Sequence, residues 1–233
     1  MIGSRVPLRA VLFDAGNTLL FLDYARMVEG VGAALGLPLT GQGLAAGAPA
    51  AARAMEAPRG TDRERAGAYF DALFSEAGVR GDRLGEVRER LAAMHAEHHL
   101  WCGVADGTLD ALTRLRRAGL RLGVVSNSDG RVEEALVAAK IRECFDVVID
   151  SAIVRVEKPD PAIFRTALDA LGVPPAEALY VGDLYEIDVV GAHAAGMPAV
   201  LLVPPGAPRP LGCPTIGSLR ALADDLLKER LAS

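Results

Sequence analysis

The run Ala10-Val11-Leu12-Phe13-Asp14-Ala15-Gly16-Asn17-Thr18 passes from four apolar residues into an acid and a glycine. An apolar run without polar alternation is the pattern of a strand covered on both faces. Leu122-Gly123-Val124-Val125, Val147-Val148-Ile149, Leu179-Tyr180-Val181 and Ala199-Val200-Leu201-Leu202-Val203 repeat it. Between the later runs lie helical patterns. Leu109, Leu112 and Leu115 recur at helical spacing before Gly119, and Ile163, Leu168 and Leu171 do so before Gly172, each glycine a natural helix stop. Alternating strands and helices predict an α/β fold, an open parallel, Rossmann-like sheet with helices on both sides.

Residues 21–105 read differently, with helical patterns and no strand-like run. Thr61-Asp62-Arg63-Glu64 is a capping box, and Asp82 is placed to cap the arginine- and glutamate-rich segment after it. The expectation is one core, residues 1–20 with 106–233, and a small all-helical domain, residues 21–105, inserted after the first strand.

Composition bounds the function. The chain has 233 residues, 51% hydrophobic and 24% charged, enough to bury a sizeable core. A net charge of −5 offers no basic field for nucleic acid or an anionic membrane. Three cysteines without a C-x-x-C pair fit a reducing compartment. The first apolar run stops at Asp14, short of a signal peptide, and the uncharged stretch 30–52 is broken by six glycines, Pro38 and Pro49. The expectation is a cytoplasmic chain, monomer or homodimer, with no membrane or nucleic-acid partner.

In an open parallel sheet, ligands bind at the carboxyl ends of the strands where strand order reverses. The first strand run ends in Asp14-Ala15-Gly16-Asn17-Thr18 and a later one in Ser126-Asn127. Lys158-Pro159-Asp160-Pro161 opens a helix, and another strand ends in Gly182-Asp183, with Asp188 five residues on. Asp14 can serve as a carboxylate nucleophile. A phosphoryl group would bring negative charge toward it, so cations are needed: Mg²⁺ held by Asp14 and Asp183, and the fixed charge of Lys158. The Ser126 hydroxyl can bind equatorial oxygens. Asp188 admits three readings: metal ligand, salt-bridge partner of Lys158, or an acid favoured by a helix dipole.

These four segments, in this order, resemble the four motifs of the haloacid dehalogenase-like (HAD) hydrolases, from residue 10 to about residue 203. The resemblance implies that the helical insert is a C1 cap and that the substrate is a small phosphorylated molecule. By the same resemblance Asp14 would be both nucleophile and metal ligand. The Gly16 carbonyl and Asp183 would complete the Mg²⁺ ligands from the protein, and Asp188 would stand behind them. Ser126 and Lys158 would stabilise the transferring group, and Thr18 and Asn127 would contact substrate.

One position departs from the pattern. Phosphatases of that family usually carry a second aspartate two residues after the nucleophile, as general acid and then base; here it is Gly16. General acid–base help is worth about 10²–10⁴-fold, so its loss weighs most on poor leaving groups. Three explanations stay open: a phosphatase favouring activated leaving groups or borrowing an acid from the cap; a metal-independent 2-haloacid dehalogenase; and a low-turnover phosphate-ligand binding protein. Gly182-Asp183 favours the first, because carbon–halogen displacement needs no Mg²⁺. The phosphonatase branch is set aside, because its Schiff-base lysine comes from the cap and residues 21–105 hold no lysine.

Remaining features read as structure. His95 and His99 stand four apart, but Ala96 occupies the glutamate position of the zinc-protease pattern, so a helix edge or a substrate contact is favoured for His95, His98 and His99. Gly41-Gln42-Gly43-Leu44-Ala45-Ala46 mimics a dinucleotide fingerprint without the preceding strand and is rejected. Trp101 is expected to pack where cap meets core.

Overall fold

In the computed structural model, the described residues are 7–55, 62–203 and 212–231. The chain divides into two compact units, Met1–Phe21 with Gly103–Ser233, and Leu22–Cys102.

The first unit is built on a sheet whose strands are β1 (Ala10–Phe13), β4 (Arg121–Ser126), β5 (Val147–Asp150), β6 (Ala178–Gly182), β7 (Ala199–Leu202) and β8 (Thr215–Ile216). Short strands β2 (Phe21–Leu22) and β3 (Trp101–Gly103) pair separately. The main sheet runs in the order β5-β4-β1-β6-β7-β8, with parallel pairing throughout. β1 is therefore central, with Phe13 level with Val124 on one side and Val181 on the other. The chain winds outward from β1 in both directions, and the order reverses there, which opens a crevice beyond the strand ends. All four residues of β1 are fully buried, as the unbroken apolar run requires.

The helices, in chain order, are α1 (Tyr24–Met27), α2 (Gly41–Met55), α3 (Asp62–Glu76), α4 (Leu84–Glu97), α5 (Thr108–Arg117), α6 (Val132–Ala138), α7 (Ser151–Val154), α8 (Pro161–Leu171), α9 (Val190–Ala194) and α10 (Leu219–Leu231). Of these, α8 begins three residues after Lys158 and fixes one end of the loop that carries it. Asp160 caps it, accepting a hydrogen bond from the Ala162 amide, and Pro161 occupies a first-turn position where no amide is needed. Gly172 ends it in the left-handed conformation. Ile163, Phe164, Ala167, Leu168 and Leu171 form the buried stripe that packs with Leu12, Val125 and Tyr180 of the sheet.

The second unit has its own core. Met27, Val31, Leu44, Leu73, Phe74, Leu91 and Met94 are buried together. A Cβ on Gly47 of α2 would sit 2.7 Å from the Leu73 carbonyl of α3, so the glycine permits close helix approach. Arg26 donates to the Met94, His98 and His99 carbonyls at 2.8–3.1 Å, satisfying carbonyls at the end of α4. Trp101 stacks near Tyr69 and Phe70, with ring centroids at 6.0 and 5.5 Å.

Three expectations need correction. Residues 21–105 do contain strand, because β2 and β3 lie wholly inside them; runs of two or three residues are too short to carry periodicity. Asp82 caps nothing. It lies in a single 3₁₀ turn, and its carboxylate is taken by Arg80 at 2.9 and 3.2 Å. Leu109 is 51% exposed; the buried stripe of α5 is Thr108, Ala111, Leu112 and Leu115. Thr61 and the side chains of Asp62 and Arg63 lie outside the described residues, so the capping box has no structural account.

Candidate active site

Past Phe13 the backbone turns sharply. The Leu19 and Leu20 amides both donate to the Ala15 carbonyl at 2.9 and 2.8 Å, and the Asn17 amide donates to the Leu20 carbonyl at 2.7 Å. Asn17 takes the left-handed conformation (φ 55°), which asparagine tolerates better than most side chains. The bonds that close this turn use the Ala15 and Leu20 carbonyls and leave the Gly16 carbonyl out of it. Thr18 is buried inside the turn, and its hydroxyl has no hydrogen-bond partner among the described residues.

Lys158 comes from the loop before α8 and is 3% exposed. Its ammonium lies 2.5 Å from Asp14 Oδ1, 2.7 Å from Asp188 Oδ1 and 3.0 Å from the Tyr180 hydroxyl. The loop is held by Asn127, whose side-chain amide donates to the Lys158 carbonyl (3.1 Å) and accepts from the Lys158 amide (2.7 Å). The two bonds fix the Lys158 backbone against the end of β4. Ser126, the last residue of β4, is buried beside them.

Asp188 is spent within the protein. Its Oδ1 takes Lys158, and its Oδ2 accepts the Asp183 and Leu184 amides at 3.1 and 3.0 Å. Gly182 makes room for it: a Cβ there would meet the Asp188 carboxylate at 2.3 Å. Of the three readings of this acid, the structure shows the ion pair with Lys158.

The electrostatics follow from burial. Burial raises the Asp14 carboxyl, the Lys158 charge pulls it back and Asp188 raises it again, leaving it at about 6. Asp183 is held well above the ordinary carboxylate range by burial and by repulsion from Asp14 and Asp188. Burial alone would lower Lys158, but Asp14 and Asp188 outweigh it and keep the ammonium well above its usual value. Three carboxylates thus share one ammonium, a surplus of negative charge in a poorly solvated crevice.

That surplus tests the site against a divalent cation. Asp14, Asp183 and Asp188 each place a carboxylate oxygen within 4.8 Å of the others. With Asp188 engaged by Lys158 and two amides, Asp14 and Asp183 remain. An all-oxygen donor set with unbalanced negative charge fits a hard ion such as Mg²⁺.

The expected residues therefore gather at one end of the sheet. Asp14, Lys158, Asp183 and Asp188 form the charged cluster, while Ser126, Asn127, Gly16 and Thr18 lie on the loops and strand end around it. Sequence reasoning missed Tyr180, which sits inside an apolar run; a hydroxyl next to a buried lysine gives no signal there. Of the histidines, His95 Nδ1 accepts the Leu100 amide (3.2 Å), and His99 Nδ1 lies 3.1 Å from the Trp101 carbonyl.

Comparison with known proteins bears on the family and the fold. A family model described as haloacid dehalogenase-like hydrolase matches residues 8–196. Haloacid dehalogenase-like hydrolase domain-containing protein 3 of Bos taurus is 38% identical over 57% of this chain and 53% of its own length. Phosphoserine phosphatase of Thermus thermophilus is 36% identical over 63% of this chain and 57% of its own. The chain thus spans about half the length of these two relatives. A phosphatase of Mycobacterium tuberculosis is 30% identical over 94% of this chain and 98% of its own. Among solved structures, the HAD-hydrolase YfnB of Bacillus subtilis, bound to magnesium, superposes with a TM-score of 0.69 at 22% identity, covering 95% of this chain and 100% of its own. This likeness concerns the fold.

Proposed function

The chain belongs to the haloacid dehalogenase-like hydrolases and is an enzyme, and from that membership we propose a Mg²⁺-dependent phosphatase of a small phosphorylated metabolite, working through an acyl phosphate on Asp14. The carrying observation is the charged cluster. A buried carboxylate at a rigid strand end lies 2.5 Å from a buried ammonium, with a second acid, Asp183, left over for a cation.

Asp14 would attack phosphorus, the P–O bond to the leaving group would break, and the departing alkoxide or phenoxide would take a proton from water; a second water would then cleave the acyl phosphate, releasing inorganic phosphate and restoring the carboxylate. Lys158 holds Asp14 in place and keeps its positive charge throughout, because Asp188 and Tyr180 satisfy its other two donors. Ser126 would meet an equatorial phosphoryl oxygen, and Asn127 fixes the loop that carries Lys158. Asp14, Asp183 and the Gly16 carbonyl would hold Mg²⁺, which when bound supplies positive charge against the phosphoryl oxygens. We read the helical unit as the family's cap and the source of substrate selection. The phosphatase names of two relatives support a small phosphorylated substrate.

Gly16 favours a second reading, the metal-independent 2-haloacid dehalogenase, since a departing halide needs no proton. Hydrolysis of p-nitrophenyl phosphate and of 2-chloropropionate, each with Mg²⁺ and with EDTA, separates the two. The expected result is phosphate release that EDTA abolishes, and no chloride. Chloride release indifferent to EDTA would replace the phosphatase reading, and silence on both substrates with Mg²⁺ binding retained would indicate a binding protein.

A further inference from the structure

The Tyr180 hydroxyl takes no part in the proposed phosphoryl transfer beyond touching Lys158, yet its bonding is tightly constrained. Tyr180 is fully buried in β6, two residues before Gly182. Its ring meets Phe164 of α8 edge-on, with centroids 4.9 Å apart. Its oxygen lies 3.0 Å from the Val125 carbonyl of β4, 3.0 Å from Lys158 Nζ and 3.3 Å from Asp188 Oδ1.

A phenol has one proton. The Val125 carbonyl is the nearer acceptor, and Asp188 Oδ1 already accepts from Lys158. With the proton on Val125, the phenol turns its lone pairs toward Lys158. An ammonium has three protons and no acceptor. Here the three find three acceptors, Asp14, Asp188 and Tyr180, so no donor is left over and the group has one arrangement. Resting on the phosphatase reading for its kinetic part, we propose that Tyr180 is a positioning residue: its hydroxyl, anchored to the Val125 carbonyl, aims the Lys158 ammonium at Asp14.

The choice of side chain has a reason. The cluster already holds three carboxylates, and a fourth charged acceptor would deepen the surplus. Burial keeps the Tyr180 phenol neutral, well above its ordinary value, so it accepts from Lys158 without adding charge. Phenylalanine would fill the same space but strand one ammonium donor and the Val125 carbonyl, both buried and both costly to leave unmade.

The chain offers a direct probe, because only Lys140, Lys158 and Lys228 are lysines. In protein labelled with ¹⁵N-lysine, the Lys158 ammonium should give one signal protected from solvent exchange, assigned by its loss in Lys158→Arg. In Tyr180→Phe this protection should fall about tenfold or more, and kcat for p-nitrophenyl phosphate should drop about ten- to hundredfold with KM changed much less, the scale of one hydrogen bond to a charged group. Phe164→Leu loosens the ring contact and spares the hydroxyl, so it should lower the melting temperature and keep both the protected signal and kcat. An unchanged signal in Tyr180→Phe overturns the proposal, as does equal loss in Phe164→Leu, which would assign the effect to packing. If the wild-type protein hydrolyses no aryl phosphate, the phosphatase reading fails by itself, and the lysine signal still decides the role of Tyr180.

Discussion

Asp14 answers to opposing influences. Burial and Asp188 push its proton affinity up, while Lys158 at 2.5 Å pushes it down, and the balance near 6 lies above the 3.8 of an ordinary aspartate. A carboxyl raised on folding favours the protonated form, so between about pH 4 and 6 rising pH removes stability from the cation-free protein. In the proposed enzyme Mg²⁺ would reverse this by neutralising the ionised group, but below pH 6 it would first have to displace the proton. The melting-temperature increase given by Mg²⁺ should therefore be larger at pH 7 than at pH 5. Its apparent affinity should fall about tenfold or more per pH unit below 6, because Asp183, also held above the ordinary carboxylate range, adds a second competing proton to that of Asp14. Calorimetric titration across that range checks it, and a flat profile would place the cation elsewhere.

At the scale of elements, the loop-to-helix junction from Lys158 to Pro161 couples stability to the site. Removing the cap with Asp160→Ala leaves the Ala162 amide without its partner at 2.9 Å and should cost about 1 kcal/mol, read as a lowered urea midpoint. Asn127 grips Lys158 independently of the cap, so kcat should change by less than stability does. This junction was readable in the chain, because Asp-Pro before an apolar stripe is a helix start with a known mechanism. The five long strands were readable for a similar reason: an unbroken run of three to five mostly apolar residues has few other places to go. β2 and β3 were not, since their pairing depends on residues about 80 positions apart and not on local pattern. Leu109 misled because helical spacing is satisfied by neighbouring stripes, and only packing shows which one faces the sheet. Asp82 misled because Arg80, two residues earlier, outcompetes the backbone for its carboxylate. Tyr180 was hidden because buried tyrosine and buried leucine look alike in an apolar run until the partner of the hydroxyl is known.

For the whole molecule, the order of strands brings residues far apart in sequence to one crevice, with Asp14 and Lys158 separated by 144 positions. No helix among the described residues is long and apolar enough to cross a membrane. The proposed enzyme lacks an ionisable group at position 16, so the leaving group must depart with little help from there. Across a series of aryl phosphates, kcat/KM should fall steeply as the pKa of the phenol rises. A shallow slope would mean that another acid protonates the leaving oxygen. Each of these steps depends on the Asp14 carboxylate being the group that takes up phosphate. Turnover of p-nitrophenyl phosphate by Asp14→Asn with saturating Mg²⁺ tests it most directly. Loss of about 10³-fold or more in kcat, in a protein whose melting temperature shows it folded, is the predicted result; an asparagine variant within about tenfold of wild type would contradict it.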